Sequence, residues 1–102
     1  MLIIIGVVKV ESVAEVEKAR AGITAMVKAS NAEPGCILYA FSQDLGDPTI
    51  IRITEKWKDQ AALDAHFATP HMATFIAGLA DVKIDGMTTK LYDASNERPV
   101  RG

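Results

Sequence analysis

The stretch Leu2-Ile3-Ile4-Ile5-Gly6-Val7-Val8 is apolar on both of its alternating faces, and polar side chains enter only at Lys9 and Glu11. Successive strand side chains point to opposite sides, so a strand of this kind has to be covered on both. The eight residues from Met1 to Val8 fall far short of the roughly 20 that a membrane helix needs, and no positively charged stretch precedes them. The segment therefore reads as a buried strand, neither a membrane span nor a signal peptide. Ser12-x-x-Glu15 follows at once in the form of a capping box. It predicts a helix to about Asn31, with Val13, Val16, Ala19, Ile23, Met26 and Val27 inward and Glu15, Lys18 and Lys28 in water; Pro34-Gly35 ends it.

Cys36 to Gln43 reads as a second strand, and Asp44-Leu45-Gly46-Asp47-Pro48 as a turn. A third strand, Thr49 to Lys58, sets Ile51, Ile53, Glu55 and Trp57 on one face and Ile50, Arg52, Thr54 and Lys56 on the other. Asp59 can cap a short helix from Gln60 to Ala68, with Ala62, Leu63, His66 and Phe67 inward. Thr69-Pro70 breaks it and starts another, His71 to about Ala80, with Met72, Phe75, Ile76 and Leu79 inward. Asp81 to Asp93 is a final strand, bulged at Asp85-Gly86. The reading is one domain over 1–94 and a polar tail over 95–102.

The order β-α-β-β-α-α-β specifies an α+β fold of the ferredoxin-like, split βαβ type: a four-stranded antiparallel sheet with helices on one face. Those helices cover one side of the first strand only. Hydrophobic residues make up 49% of the 102, and a bare apolar sheet face would forgo burial at roughly 25 cal/mol per Å². A homodimer pressed together through the sheet face, a dimeric α+β barrel, resolves this.

Composition excludes several classes of function. Eleven Lys and Arg against 13 Asp and Glu leave a net charge of −2, without the basic patch that drives nucleic-acid binding. The single cysteine, Cys36, cannot form an internal disulfide, reads as a small buried hydrophobe, and suits a reducing cytoplasmic setting. No phosphate-binding glycine loop, Ser-His-Asp set or zinc spacing occurs. His66 and His71 lie five apart across a proline break, a spacing that does not share one helix face, so no metal is expected.

What remains is Tyr39, Glu55, Trp57, His66 and His71. An acid on an apolar face is costly unless paired, and either histidine is a candidate partner. An imidazole–carboxylate pair beside an indole and a phenol suits a flat aromatic substrate. Each residue also has a plainer reading: Trp57 and Tyr39 as core, Glu55 as a solvated strand residue, and the histidines as structural.

At these residues the chain resembles the antibiotic biosynthesis monooxygenase domain family, small dimeric α+β barrel proteins. The matching stretches are Glu33-Pro34-Gly35-Cys36 with Tyr39, Glu55-x-Trp57, and Leu63-Asp64-Ala65-His66-x-x-Thr69-Pro70-His71-Met72. They look most like the quinol monooxygenase branch, and the likeness covers residues 1 to 93. It implies a cofactor-independent monooxygenase that oxidises a quinol or polycyclic phenol with molecular oxygen, in a cavity between sheet and helices. On that reading His66 or His71 is the base, Glu55 orients a histidine, and Trp57, Tyr39, Phe67, Phe75 and Ile53 hold the substrate. Polyketide-oxidising members carry an Asn and a Tyr where this chain has Ile53 and Leu63. Haem-degrading relatives carry an Asn, a Trp and an axial His at positions matching Gly6, His66 and Ile76. Alternatives are an isomerase or degrading enzyme for a small phosphorylated signalling molecule, and a non-enzymatic dimer that binds small molecules.

Overall fold

β1 (Leu2–Val10) runs through the middle of a four-stranded antiparallel sheet whose order is β2-β3-β1-β4. The computed structural model describes residues 1–101; Gly102, the last residue of the expected tail, lies outside them. β2 is Cys36–Gln43, β3 is Ile50–Trp57 and β4 is Ile84–Asp93. β1 pairs with β3 from Leu2 opposite Trp57 to Lys9 opposite Ile50. On its other edge it pairs with β4 from Leu2 opposite Asp93 to Lys9 opposite Gly86, after which Val10 faces Ile84. Asp85 is thus the extra residue of a bulge, at the predicted place.

Three helices, α1 (Val13–Asn31), α2 (Gln60–Phe67) and α3 (Pro70–Gly78), cross the sheet, and α3 runs into a 3₁₀ turn over Leu79–Asp81. This is the ferredoxin-like α+β architecture that the element order predicts. One core cluster joins Leu2, Ile4, Met26, Tyr39, Trp57 and Leu63, and a second joins Val8, Val10, Val16, Ile51 and Ile53. Every buried β1 residue here is even-numbered, so the pleat turns that set to the helices. The odd set, Ile3, Ile5 and Val7, faces away, and Ile5 is 51% exposed. β4 is exposed along its whole length. No helix among the described residues is long and apolar enough to cross a membrane.

Local expectations fail in three places. Ser12 occupies the N-cap of α1 but its side chain makes no cap hydrogen bond. Glu15 is buried instead of wet, and its carboxylate accepts from the Lys83 backbone N–H at 2.7 Å and from Lys18 Nζ at 3.0 Å. Those contacts hold it below the usual carboxylate range, the Lys83 N–H first and Lys18 second. The acid needed for the capping box is thus committed to the segment that enters β4. Val13, Phe67 and Ile76 were expected inward, yet Val13 is exposed, because the buried stripe of α1 starts only at Glu15 and Val16, and the other two are more than half exposed. α2 packs through Leu63 and His66, and α3 through Met72 and Phe75. One residue further turns each side chain about 100° off the buried stripe. β4 begins at Ile84 rather than Asp81, because the 3₁₀ turn takes up the intervening chain.

Candidate functional site

The turn that joins α1 to β2 carries an acid into the protein. Asn31, the last residue of α1, anchors the start of that turn: its Nδ2 donates to Tyr39 O at 2.8 Å and its Oδ1 accepts from Tyr39 N at 3.1 Å. Glu33 N donates to Ser30 O, and Cys36 N to Glu33 O, closing the turn. Gly35 lies so close to α2 that a Cβ there would fall 2.2 Å from Ala62 Cβ. Its backbone carbonyl accepts from Lys58 N at 2.9 Å, which ties the turn to the end of β3.

Opposite Glu33 stand the two histidines. His66 lies in the last turn of α2 and His71 in the first turn of α3, joined by Thr69-Pro70. Thr69 Oγ1 donates to His66 O at 2.7 Å and accepts from Met72 N at 3.3 Å, so one hydroxyl links the end of one helix to the start of the next. Across the break both rings converge on a single atom: Glu33 Oε2 is 2.7 Å from His66 Nδ1 and 2.8 Å from His71 Nε2. A carboxylate oxygen accepts, so each ring presents an N–H there. In the neutral rings this leaves the lone pairs on His66 Nε2 and His71 Nδ1.

His66 is 1% exposed, with its ring centroid 4.6 Å from that of Trp57 and 5.4 Å from that of Tyr39. The Trp57 indole N–H donates to Glu55 Oε1 at 2.9 Å. Burial pushes the Glu55 carboxyl up, against the opposing effects of the Trp57 hydrogen bond and His66. Burial also raises the Tyr39 phenol, with the Glu55 charge second. The Cys36 thiol is pushed up to about 11, by burial and then by the charge of Glu33, which makes it a poor nucleophile.

Inward placement of Glu55, Trp57 and His66 agrees with the alternation of β3 and the stripe of α2, and Tyr39 on β2 is buried beside them. Three expectations need correction. The acid that meets the histidines is Glu33, while Glu55 serves the indole. Glu33 stands in one of the quoted motif stretches, but its partners are 33 and 38 residues away, beyond any local spacing rule.

Next, among the described residues none of the larger cavities gathers Glu55, Trp57, His66 and His71. Trp57 is fully buried, so its ring is closed off by core side chains and is no open wall. His71 instead lines a cleft of about 370 Å³ between α1 and α3, with Lys18, Met26, Phe75, Leu79 and Val82. Ile53, Phe41 and Phe75 border a wholly apolar void of about 40 Å³ beneath it. A further cleft of about 400 Å³ lies between α1 and the β2–β3 edge, lined by Arg20, Ile23 and Phe41, away from the imidazoles. Last, Phe67 is outside both the cleft and the void, on the open side of α2.

Comparison with known proteins matches residues 1–78 to the family model for antibiotic biosynthesis monooxygenase. An uncharacterized protein of Synechocystis sp. is 35% identical over 66 residues, 65% of this chain and 45% of that protein. The chain thus spans less than half the length of this relative. YcnE of Bacillus subtilis, provisionally named a monooxygenase, is 32% identical over 71 residues, 67% of this chain and 75% of its own. Among solved structures, a Deinococcus radiodurans protein provisionally named an antibiotic biosynthesis monooxygenase superposes with a TM-score of 0.89 at 27% identity, covering all of both chains. A Pseudomonas aeruginosa protein superposes with a TM-score of 0.81 at 26% identity, covering 93% of this chain and 94% of its own.

Proposed function

The chain belongs to the antibiotic biosynthesis monooxygenase family, and from that premise we propose that it is a cofactor-independent monooxygenase of a quinol or polycyclic phenol, with His71 as the residue that meets the substrate. One observation carries this reading: His71 opens onto an apolar cleft while its Nε2 is tied to Glu33. That hydrogen bond turns the Nδ1 lone pair outward as a proton acceptor.

Molecular oxygen is a triplet and reacts slowly with closed-shell molecules, but a phenolate supplies electrons readily. His71 Nδ1 takes a phenolic proton, and the Glu33 carboxylate stabilises the imidazolium that results. His66 holds Glu33 Oε2 from the other side and is itself wedged between Trp57 and Tyr39. The substrate anion gives electrons to oxygen and a ring carbon–oxygen bond forms. The O–O bond then breaks as water leaves, so that quinol and O₂ become hydroxyquinone and water. All four electrons come from the substrate. Apolar walls exclude bulk water from the anion.

The assembly that suits this site is a homodimer through the outer sheet face, where Ile3, Ile5, Val7 and Tyr92 lie together. Oxygen uptake with a quinol panel tests the function, on protein treated with a chelator. Uptake should match product formation one to one, and His71→Ala should lower it by roughly 100-fold or more. Unchanged uptake in that variant, or turnover of a small phosphorylated molecule under strict anaerobiosis, would overturn the reading.

A further inference from the structure

We propose that Glu33, His66 and His71 also form a binding site for one divalent transition-metal ion of the zinc, cobalt or copper class. One ligand atom from each residue is available, and the three lie within 4.8 Å of one another. They come from three backbone segments, the α1–β2 turn, the end of α2 and the start of α3, so the fold fixes their mutual position. The five-residue spacing that argues against a shared helix face does not apply, because the histidines sit on separate helices.

Metal–ligand bonds of about 2.0–2.1 Å in tetrahedral geometry require donors about 3.3 Å apart. Here the Glu33 oxygen is 2.7 and 2.8 Å from the two ring nitrogens. Admitting the ion takes a withdrawal of Glu33 by about half an ångström together with an approach of the two ring nitrogens, which lie within 4.8 Å of each other, toward that same spacing. Glu33 stands in a turn with its side chain 12% exposed, and His71 stands in the first turn of its helix. Two imidazole nitrogens and one carboxylate oxygen favour zinc, cobalt, nickel or copper over magnesium or calcium. His71 is partly exposed and borders the cleft, so the remaining coordination position opens there to water.

Binding moves protons in a defined way. Each ring gives up the N–H that faced Oε2 and carries its proton on its other nitrogen instead, His66 Nε2 inside the core and His71 Nδ1 at the cleft. For two neutral rings no net proton is released. Resting on the function proposed above, a corollary follows: the lone pair at His71 Nδ1 is lost, so the ion inhibits the oxygenase instead of serving it.

The test is a titration of the chelator-treated full chain with Co²⁺, followed by visible d–d absorption, and with Zn²⁺, followed by calorimetry. One ion should bind per chain, with the absorption intensity of a four-coordinate site. Glu33→Gln and His71→Ala should each weaken binding at least 10-fold. Thermal melts of both variants establish that they remain folded; His71→Ala changes a partly exposed residue and is the safer of the two. Absence of binding to the parent protein, or binding undiminished in both folded variants, would overturn the site. Oxygen uptake is measured separately. Binding with no uptake, loaded or unloaded, keeps the site and removes the oxygenase reading, and uptake without binding does the reverse. Uptake that rises on loading overturns the inhibitory role.

Discussion

Glu33 and Glu55 are both acids set against aromatic rings, yet their surroundings give them different chemistry. Glu33 accepts from two imidazoles through one oxygen, whereas Glu55 accepts from one indole N–H in the core. Burial raises the folded-state pKa of Glu55 above its ordinary 4.5. The folded state then holds its proton more tightly than the unfolded chain does, so stability falls as pH rises from about 4.5 through the raised value and stays lower beyond it. Glu55→Gln keeps an acceptor for the indole and removes the charge. It should melt higher than the parent at pH 7 and lose that part of the acid-side pH dependence, as thermal melts across pH 4 to 8 would show. Glu33→Gln should instead cut turnover by roughly 10- to 100-fold, read as kcat in oxygen-uptake assays. The inward aim of Glu55 is legible because a strand alternates with period two. The duty of Glu33 is not, because it depends on where a turn lands against two distant helices.

Two local devices hold the histidine-bearing helices in place. Thr69 caps α3 and grips the last turn of α2 with the same hydroxyl. Thr69→Ala should cost about 1 kcal/mol in urea denaturation, and Thr69→Ser should recover most of it. At Gly35 the constraint is steric: a methyl group would collide with Ala62. Gly35→Ala should push α2 away from the turn at a cost of about 1–3 kcal/mol, and turnover should fall with it because Glu33 and His66 separate. The Thr-Pro signal for the helix break was readable in the sequence, as was the order of strands and helices. The capping box at Ser12 had the right residues but the wrong outcome. Glu15 finds a buried backbone N–H at Lys83, 68 residues away, and a pattern four residues long carries no trace of that competitor.

Taken as one body, the protein covers its sheet unevenly. Helices bury the even face of β1, while Ile5 and Tyr92 on the other face stand half exposed. β4, at the sheet edge, is open on both sides, with Met87 and Leu91 exposed toward the helix layer. A second copy of the chain meeting this surface is the assembly proposed above. Ile5→Glu should convert it to single chains in sedimentation velocity, with the far-ultraviolet circular dichroism retained; a parent protein that sediments as a single chain would remove the dimer. The two-faced apolar character of β1 announced this exposed surface, whereas the contents of the interior depended on how tightly Trp57, His66 and Glu55 pack. The chain contains one tryptophan, and its indole N–H rests on the Glu55 carboxylate. Indole emission, which lies to the red of that from the two tyrosines, therefore comes from a single lamp wired to one buried acid. Its colour and brightness should follow the protonation of that acid, giving a label-free gauge of the interior during turnover, metal loading or unfolding.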